Sequence, residues 1–197
     1  MGKWFPRVYD FAMKPLEQTK FKSIRQHLVG NVEGRVLEIG SGTGVNFPHY
    51  KTARQVDAIE PNPLMRNHSL RNNSKSKVPI HTYLAGAENL PFADNTFDTV
   101  VATLVFCTIS DPLKAFQEIQ RVSKPGAKIL LFEHVRVPQS FISTVQDILT
   151  PFWKRVCDGC HLNRDTLKLV EQTGLTIFNK QTYFNGIFVT IKCINEK

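Results

Sequence analysis

At 197 residues, with hydrophobic residues at 42% and charged residues at 21%, the chain has the size and composition of one globular domain that buries its core without disulfides or metals. No apolar run approaches the roughly 20 residues of a spanning helix, and Met1-Gly2-Lys3-Trp4-Phe5-Pro6-Arg7 lacks a signal-peptide core; neither an integral membrane segment nor export is expected, and the expected location is cytoplasmic. Lysine and arginine exceed aspartate and glutamate by 25 to 17, giving +8; a solvated basic face accounts for this without nucleic acid, and peripheral contact with an anionic membrane stays open.

Along the chain, Tyr9 to Val29 carries Phe11, Leu16, Phe21, Ile24 and Leu28 at helical spacing, with Pro15 to start or kink a helix, so residues 1–30 are expected to cap the ligand site. Val36-Leu37-Glu38-Ile39 then reads as a buried strand that turns through Gly40-Ser41-Gly42-Thr43-Gly44 into a helix. A second strand-like run, Val56 to Ile59, delivers Glu60 about twenty residues beyond Gly40. Glycine lets backbone approach a ligand, and a carboxylate at that place accepts both ribose hydroxyl protons, so the cofactor is expected to be adenosine-based. Val45 stands where a dinucleotide fingerprint needs its third glycine, and Glu38 at the loop mouth repels a pyrophosphate but suits an ammonium and a sulfonium.

Pro63 to Arg71 predicts a helix with proline in its first turn, Asn72 to Lys77 a polar loop, and Ile80 to Ala85 a third strand. Asp98 to Leu104 is apolar enough to be buried on both faces, as central parallel strands are. Asp111-Pro112 opens a helix to Val122 that Lys124-Pro125-Gly126 stops, and Lys128 to Val135 forms a fifth strand. Helical stretches at Ser140 to Val156 and Arg164 to Thr173 follow, the latter closed by Gly174; Thr176 to Lys180 and Gly186 to Ile194 pair as a hairpin across Asn185-Gly186 or a slightly longer turn. Five strands alternating with helices, followed by that hairpin, predict a single α/β domain over 1–197: a Rossmann-like doubly wound seven-stranded sheet with a C-terminal antiparallel hairpin and ligands outside the strands' carboxyl ends.

Cys107, Cys157, Cys160 and Cys193 are expected as reduced thiols. Cys157-Asp158-Gly159-Cys160-His161 satisfies the letter of the Cys-x-x-Cys-His haem pattern, but haem attachment needs export, and a zinc site usually needs a second Cys/His pair at similar spacing; neither haem nor metal is expected. Cys107 and Cys160 then read as small buried apolar residues.

Glu38-x-Gly40-x-Gly42-x-Gly44 resembles motif I of class I S-adenosylmethionine methyltransferases, and Ala87-Glu88-Asn89-Leu90-Pro91-Phe92 through Phe97-Asp98 resembles the ubiquinone and menaquinone C-methyltransferases. The second half is more specific: Thr103-Leu104-Val105-Phe106-Cys107, Phe132-Glu133-His134-Val135, Pro151-Phe152-Trp153 and Asp158-Gly159-Cys160-His161-Leu162-Asn163-Arg164 resemble the methyltransferase-like thiol S-methyltransferases of animal intracellular membranes, which carry a hydrophobic N-terminal anchor and Asn where His161 stands. The resemblance implies S-adenosylmethionine as cofactor and S-adenosylhomocysteine as product, held by Glu38, Gly40, Ser41, Gly42, Thr43, Gly44, Glu60, Pro61, Asn62, Gly86, Ala87, Glu88, Thr103 and Leu104. The family's adenine-reading Asp or Asn is absent at Gly86 or Ala87, which leaves that contact to backbone groups or Glu88.

For the acceptor, the resemblance implies the sulfur of a small apolar thiol, with segment 138–165 folded over it. Thiolate and sulfonium lose both charges in the transition state, so a dry pocket favours the reaction; Phe106, Phe141, Phe152 and Trp153 are the aromatic candidates for its walls. His134 is the first candidate base, followed by His161 and Asp158, with Arg164 placed to hold Asp158 or to touch the acceptor. Rival acceptors are a quinone-like carbon, a small amine or phospholipid headgroup, and a metalloid held by Cys107, Cys157 and Cys160. A non-catalytic binding module stays open, since fold alone does not give turnover.

Overall fold

The computed structural model describes residues 20–138, 140–157 and 159–197; of the expected cap, residues 1–19 with Phe11, Pro15 and Leu16 lie outside them, as does Asp158. Helix α1 (Lys20–Val29) turns Phe21, Ile24, Arg25, Leu28 and Val29 inward. It is followed by β1 (Arg35–Ile39), a short 3-10 turn at Phe47–His49, β2 (Gln55–Ile59), α2 (Pro63–Asn73), β3 (Ile80–Tyr83), β4 (Phe97–Thr103), α3 (Pro112–Val122), β5 (Ser123–His134), α4 (Ser140–Val156), α5 (Thr166–Glu171), β6 (Thr176–Tyr183) and β7 (Phe188–Ile194).

The seven strands form one sheet in the order β3-β2-β1-β4-β5-β7-β6. β3, β2, β1, β4 and β5 are parallel, and β7 enters antiparallel between β5 and β6. The parallel strands are buried because both sheet faces are covered: Leu37, Ile39, Val100, Ala102, Ile129 and Leu131 pack under α3, whereas Val36, Val56, Val101, Leu130 and Phe132 pack with Phe21 and Ile24 of α1. Strand order reverses between β1 and β4, and a doubly wound sheet opens its ligand crevice at such a point, at the carboxyl ends of the strands.

Four local features differ from the sequence reading. Residues 84–96 between β3 and β4 form turns rather than a crossover helix, so the alternation of strands and helices is broken there. Lys124-Pro125-Gly126 stops α3 but does so inside β5, where the register of β4 and β5 shifts and Gly126 adopts φ +76°; the predicted turn has become a bulge. β4 ends at Thr103 because Leu104 sits at φ +54°, a left-handed conformation no strand residue adopts. The hairpin takes the longer turn, with Phe184, Asn185 and Gly186 all at positive φ. Among the described residues, no helix is long and apolar enough to cross a membrane.

Candidate active site

The glycine loop leaves β1 through two positions that no side chain fits. Gly40 has φ +62°, and a Cβ there would run into the Val105 side chain, which comes from the loop after β4 across the switch point. Gly44 has φ +77°, and a Cβ would come within 2.8 Å of the Phe47 ring. Between them, Ser41 donates its amide to Ile59 O at 3.0 Å, and Asn72 of α2 donates to Thr43 O at 2.9 Å, so the loop is fastened to β2 and α2. The Glu60 carboxylate completes the cradle by accepting the amides of Gly42 and Asn62, each at 2.9 Å. Asn62 in turn caps α2, its side chain accepting from Leu64 N at 2.9 Å, while Pro61 is exposed.

Below the loop, β1 and β4 meet in a buried polar network. Glu38, 2% exposed, accepts from the Tyr50 hydroxyl at 2.9 Å and from Asn46 Nδ2 at 3.0 Å. Asn46 Nδ2 also donates to Thr103 Oγ1 at 3.0 Å, and Arg25 of α1 donates to both Asn46 Oδ1 at 3.0 Å and Thr103 Oγ1 at 2.7 Å. Burial pushes the Glu38 carboxyl up to about 7, against the opposing bonds from Tyr50 and Asn46 and the charge of Arg25. Because the folded value exceeds the ordinary one of 4.5, stability should be highest with Glu38 protonated and fall as pH rises toward about 7. We expect that loss to be on the order of 3 kcal/mol and to vanish in Glu38→Gln. Urea unfolding of both proteins at acidic and mildly alkaline pH checks this; parallel pH dependences would sink it.

At the carboxyl ends of β4 and β5 stands a second buried group. Glu133, fully buried, accepts the amides of Val105 at 3.0 Å and Phe106 at 3.2 Å through Oε1, which fixes the loop carrying Cys107. Its Oε2 is buried with no hydrogen-bond partner among the described residues, and burial raises the carboxyl to about 7 despite those two amides and His134. The next residue, His134, places Nε2 at 3.3 Å from Cys160 Sγ, and the donor atoms of Cys107, His134 and Cys160 all lie within 4.8 Å of one another. The Cys107 hydrogen bond and the His134 imidazole hold the Cys160 thiol well below its ordinary range against its burial, whereas Cys107 is pushed up. Burial opposes protonation of His134, but its bond to Cys160 and the surrounding negative charge raise it.

Comparison with known proteins follows the same lines. Residues 37–131, from β1 into β5, match the family model described as a methyltransferase domain. Thiol S-methyltransferase TMT1B of Rattus norvegicus is 36% identical over 168 residues, 82% of this chain and 69% of the relative. Its counterpart in Homo sapiens is 31% identical over 189 residues, 87% and 78% of the two chains. The chain is a class I S-adenosylmethionine-dependent methyltransferase. An S-adenosylmethionine-dependent methyltransferase from Aquifex aeolicus shares the fold at a TM-score of 0.70 and 17% identity, covering 98% of each chain.

S-adenosylmethionine is therefore the methyltransferase's cofactor, and the crevice fits it. Ser41 Oγ is buried without a hydrogen-bond partner among the described residues, in the glycine loop at the carboxyl end of β1. The Glu60 carboxylate stands at the end of β2, where it accepts the Gly42 and Asn62 amides of the two loops that flank the crevice. Glu38 does not stand at the loop mouth as a counter-ion: it faces the Tyr50 and Asn46 side chains beneath. Thr103 belongs to that same network, and Leu104 follows it at the strained turn. Gly86 and Ala87 follow β3, with Ala87 in the core, and Glu88 accepts from Ser110 N and Asp111 N at 3.2 and 3.4 Å, so its carboxylate braces the start of α3.

Of the candidates for proton transfer in this methyltransferase, His134 is already engaged with Cys160. His161 is fastened: its amide donates to Cys107 O at 3.0 Å, and the Arg164 guanidinium lies 3.1 Å from its Nδ1 while also donating to Ile109 O at 2.9 Å. Arg164 thus ties residues 160–164 to the loop after β4. Of the aromatic wall inferred from sequence, the described residues bring only Trp153 to the Cys160 cluster. Phe106 stacks on Phe116 at 4.3 Å in the core, while Phe141 and Phe152 on α4 are 79% and 65% exposed. Gln146 anchors α4, bonding Val137 N, Val135 O and Leu162 O at 3.0 to 3.1 Å; Trp153, two turns on along that face, hydrogen-bonds Cys160, while Phe141 and Phe152 are turned outward.

Proposed function

We propose that the methyltransferase transfers its methyl group to the sulfur of a small, apolar thiol. One observation carries the reading: two thiols and an imidazole, Cys107, Cys160 and His134, converge at the carboxyl ends of β4 and β5, beside the switch-point crevice. Such soft donors in a dry setting suit a sulfur nucleophile better than an alcohol or amine. The thiol S-methyltransferase relatives support the same acceptor class.

When bound, S-adenosylmethionine supplies a methyl group already activated on a sulfonium. The chain's own contribution is then mainly alignment and exclusion of water, which can supply several powers of ten in rate. Gly40 to Gly44, Ser41 and Glu60 hold the donor end of the reaction, with Pro61, Asn62 and residues 86–88 flanking it. Leu104 and Val105 follow β4 at the switch point, where Glu133 fixes their loop through the Val105 and Phe106 amides. Segment 138–165 brings Cys160 and His161 onto that loop, which is how it would bound the acceptor.

The test is S-adenosylhomocysteine formation with matched acceptors: an alkyl thiol and the corresponding alcohol, amine and a quinol. We expect turnover with the thiol alone, its rate rising with pH toward the thiol's ordinary value of about 8.5, as thiolate replaces thiol. Turnover with the amine or quinol and none with the thiol would overturn the assignment while leaving the enzyme class intact.

A further inference from the structure

We propose that Cys107, Cys160 and His134 form a zinc site, with three protein ligands among the described residues and a fourth, exchangeable position. The sequence pattern conceals it, because Cys157-x-x-Cys160-His161 looks like a ligand string while the fold selects only Cys160 from it. The other ligands come from the loop after β4 and the end of β5, 53 and 26 residues away in sequence. Cys157 is not part of the cluster, and His161 Nδ1 is turned to Arg164 and Cys107 O.

Three features carry the proposal. The first is spacing: zinc bonds of about 2.3 Å to sulfur and 2.0 to 2.1 Å to nitrogen put tetrahedral ligand atoms about 3.5 to 3.8 Å apart. Cys160 Sγ and His134 Nε2 are 3.3 Å apart and all three donors fall within 4.8 Å, so small side-chain adjustments close the shell. The second is charge. Two thiolates buried together are costly, but with a divalent cation and a neutral imidazole the site has no net charge. The third is Glu133, adjacent to one ligand and holding the loop of another, whose buried Oε2 has no partner among the described residues. Its bonds to the Val105 and Phe106 amides hold in place the loop that presents Cys107, the kind of outer support that fixes a ligand's position. Two sulfurs and one imidazole nitrogen favour zinc over harder cations, and three protein ligands are the pattern of catalytic rather than structural zinc.

The exchangeable position is the place for the acceptor sulfur, a step that rests on the thiol reading above. The acceptor thiol releases its proton to solvent on binding. Its sulfur then forms the new S–CH3 bond as the sulfonium–CH3 bond breaks, and that electron pair stays on the cofactor sulfur. A neutral thioether, which binds zinc more weakly than a thiolate does, then leaves.

The experiment is elemental analysis of the purified protein, followed by cobalt(II) substitution and absorption spectroscopy. We expect about one zinc per chain in the wild type and in Cys157→Ser, and at least about a tenfold loss of metal affinity in Cys107→Ser and Cys160→Ser. Circular dichroism and cofactor binding of each variant establish that it is folded. The cobalt form should show thiolate-to-metal charge transfer that shifts on adding an alkyl thiol and not on adding its alcohol. Wild type free of zinc after growth in zinc-replete medium, copper in its place, a Cys107–Cys160 disulfide, or equal metal retention in Cys160→Ser would each overturn the site. Thiol turnover by zinc-free protein would overturn the metal's role and leave the thiol reading standing. A stoichiometric zinc site without thiol turnover would do the reverse.

Discussion

Replacing Arg25 with alanine is expected to destabilise the methyltransferase by on the order of 3 kcal/mol, more than any surface substitution on α1. The guanidinium is 4% exposed, sits 5.8 Å from the Phe132 ring and donates to Asn46 Oδ1 and Thr103 Oγ1. Alanine strands Asn46 Oδ1 in the core, at about 1 to 3 kcal/mol, takes one of two donors from Thr103 Oγ1, and leaves a cavity besides. It also removes the nearest positive charge from Glu38, whose carboxyl is already raised by burial, so the cost should grow with pH as Glu38 ionises. Chemical unfolding of wild type and Arg25→Ala at two pH values measures both effects. A change below about 0.5 kcal/mol, the size expected of a surface site, would show that the network is not a fastening.

That network also marks what a linear reading reaches. The strand, glycine loop and acidic residue at Gly40 to Glu60 were legible because backbone demands and a short spacing fix them locally. Leu104 at φ +54° was not, because nothing in a leucine announces a left-handed turn; the conformation is imposed by the chain leaving β4 over Gly40. The bulge at Gly126 had the same cause in reverse, since Lys-Pro-Gly signals a turn and only the pairing with β4 and the bond to Asn195 O keep it in a strand. Arg25 carries no signal at all on a helix whose charged residues otherwise face solvent.

The cluster at the carboxyl ends of β4 and β5 was less legible still. His134 was recognisable by its place at the end of a parallel strand, but its partner Cys160 lies 26 residues on, behind a helix whose packing no periodicity reveals. The helix over Ser140 to Val156 is legible in the sequence, but which of its aromatics turn inward is not. Hydrophobic spacing identifies a face, and it is the polar Gln146, through three bonds to the chain around it, that anchors the helix. Glu133 had only its position at the same strand end to mark it, and its two amide partners become visible only once β4 and β5 are side by side.

Glu60→Ala should be the most damaging single change for cofactor binding. Its carboxylate is expected to join two tasks: Oε2 and Oε1 hold the Gly42 and Asn62 amides, and the same carboxylate would accept the two hydroxyl protons of a ribose bound at the carboxyl ends of β1 and β2. Hydrogen bonds to a charged acceptor contribute about 1.5 to 3 kcal/mol each, so losing both should weaken binding by about 3 kcal/mol or more, roughly a hundredfold. Glu60→Gln separates the tasks. It keeps one of the two amide bonds of the loop and loses the charge and the other acceptor oxygen, so it should cost less stability than alanine while still giving up much of the affinity. Titration calorimetry with S-adenosylhomocysteine, alongside unfolding of both variants, resolves the two contributions. Equal affinity in wild type and alanine variant would remove Glu60 from the cofactor site, whereas a loss confined to the alanine variant would make it a loop fastening rather than a ribose acceptor.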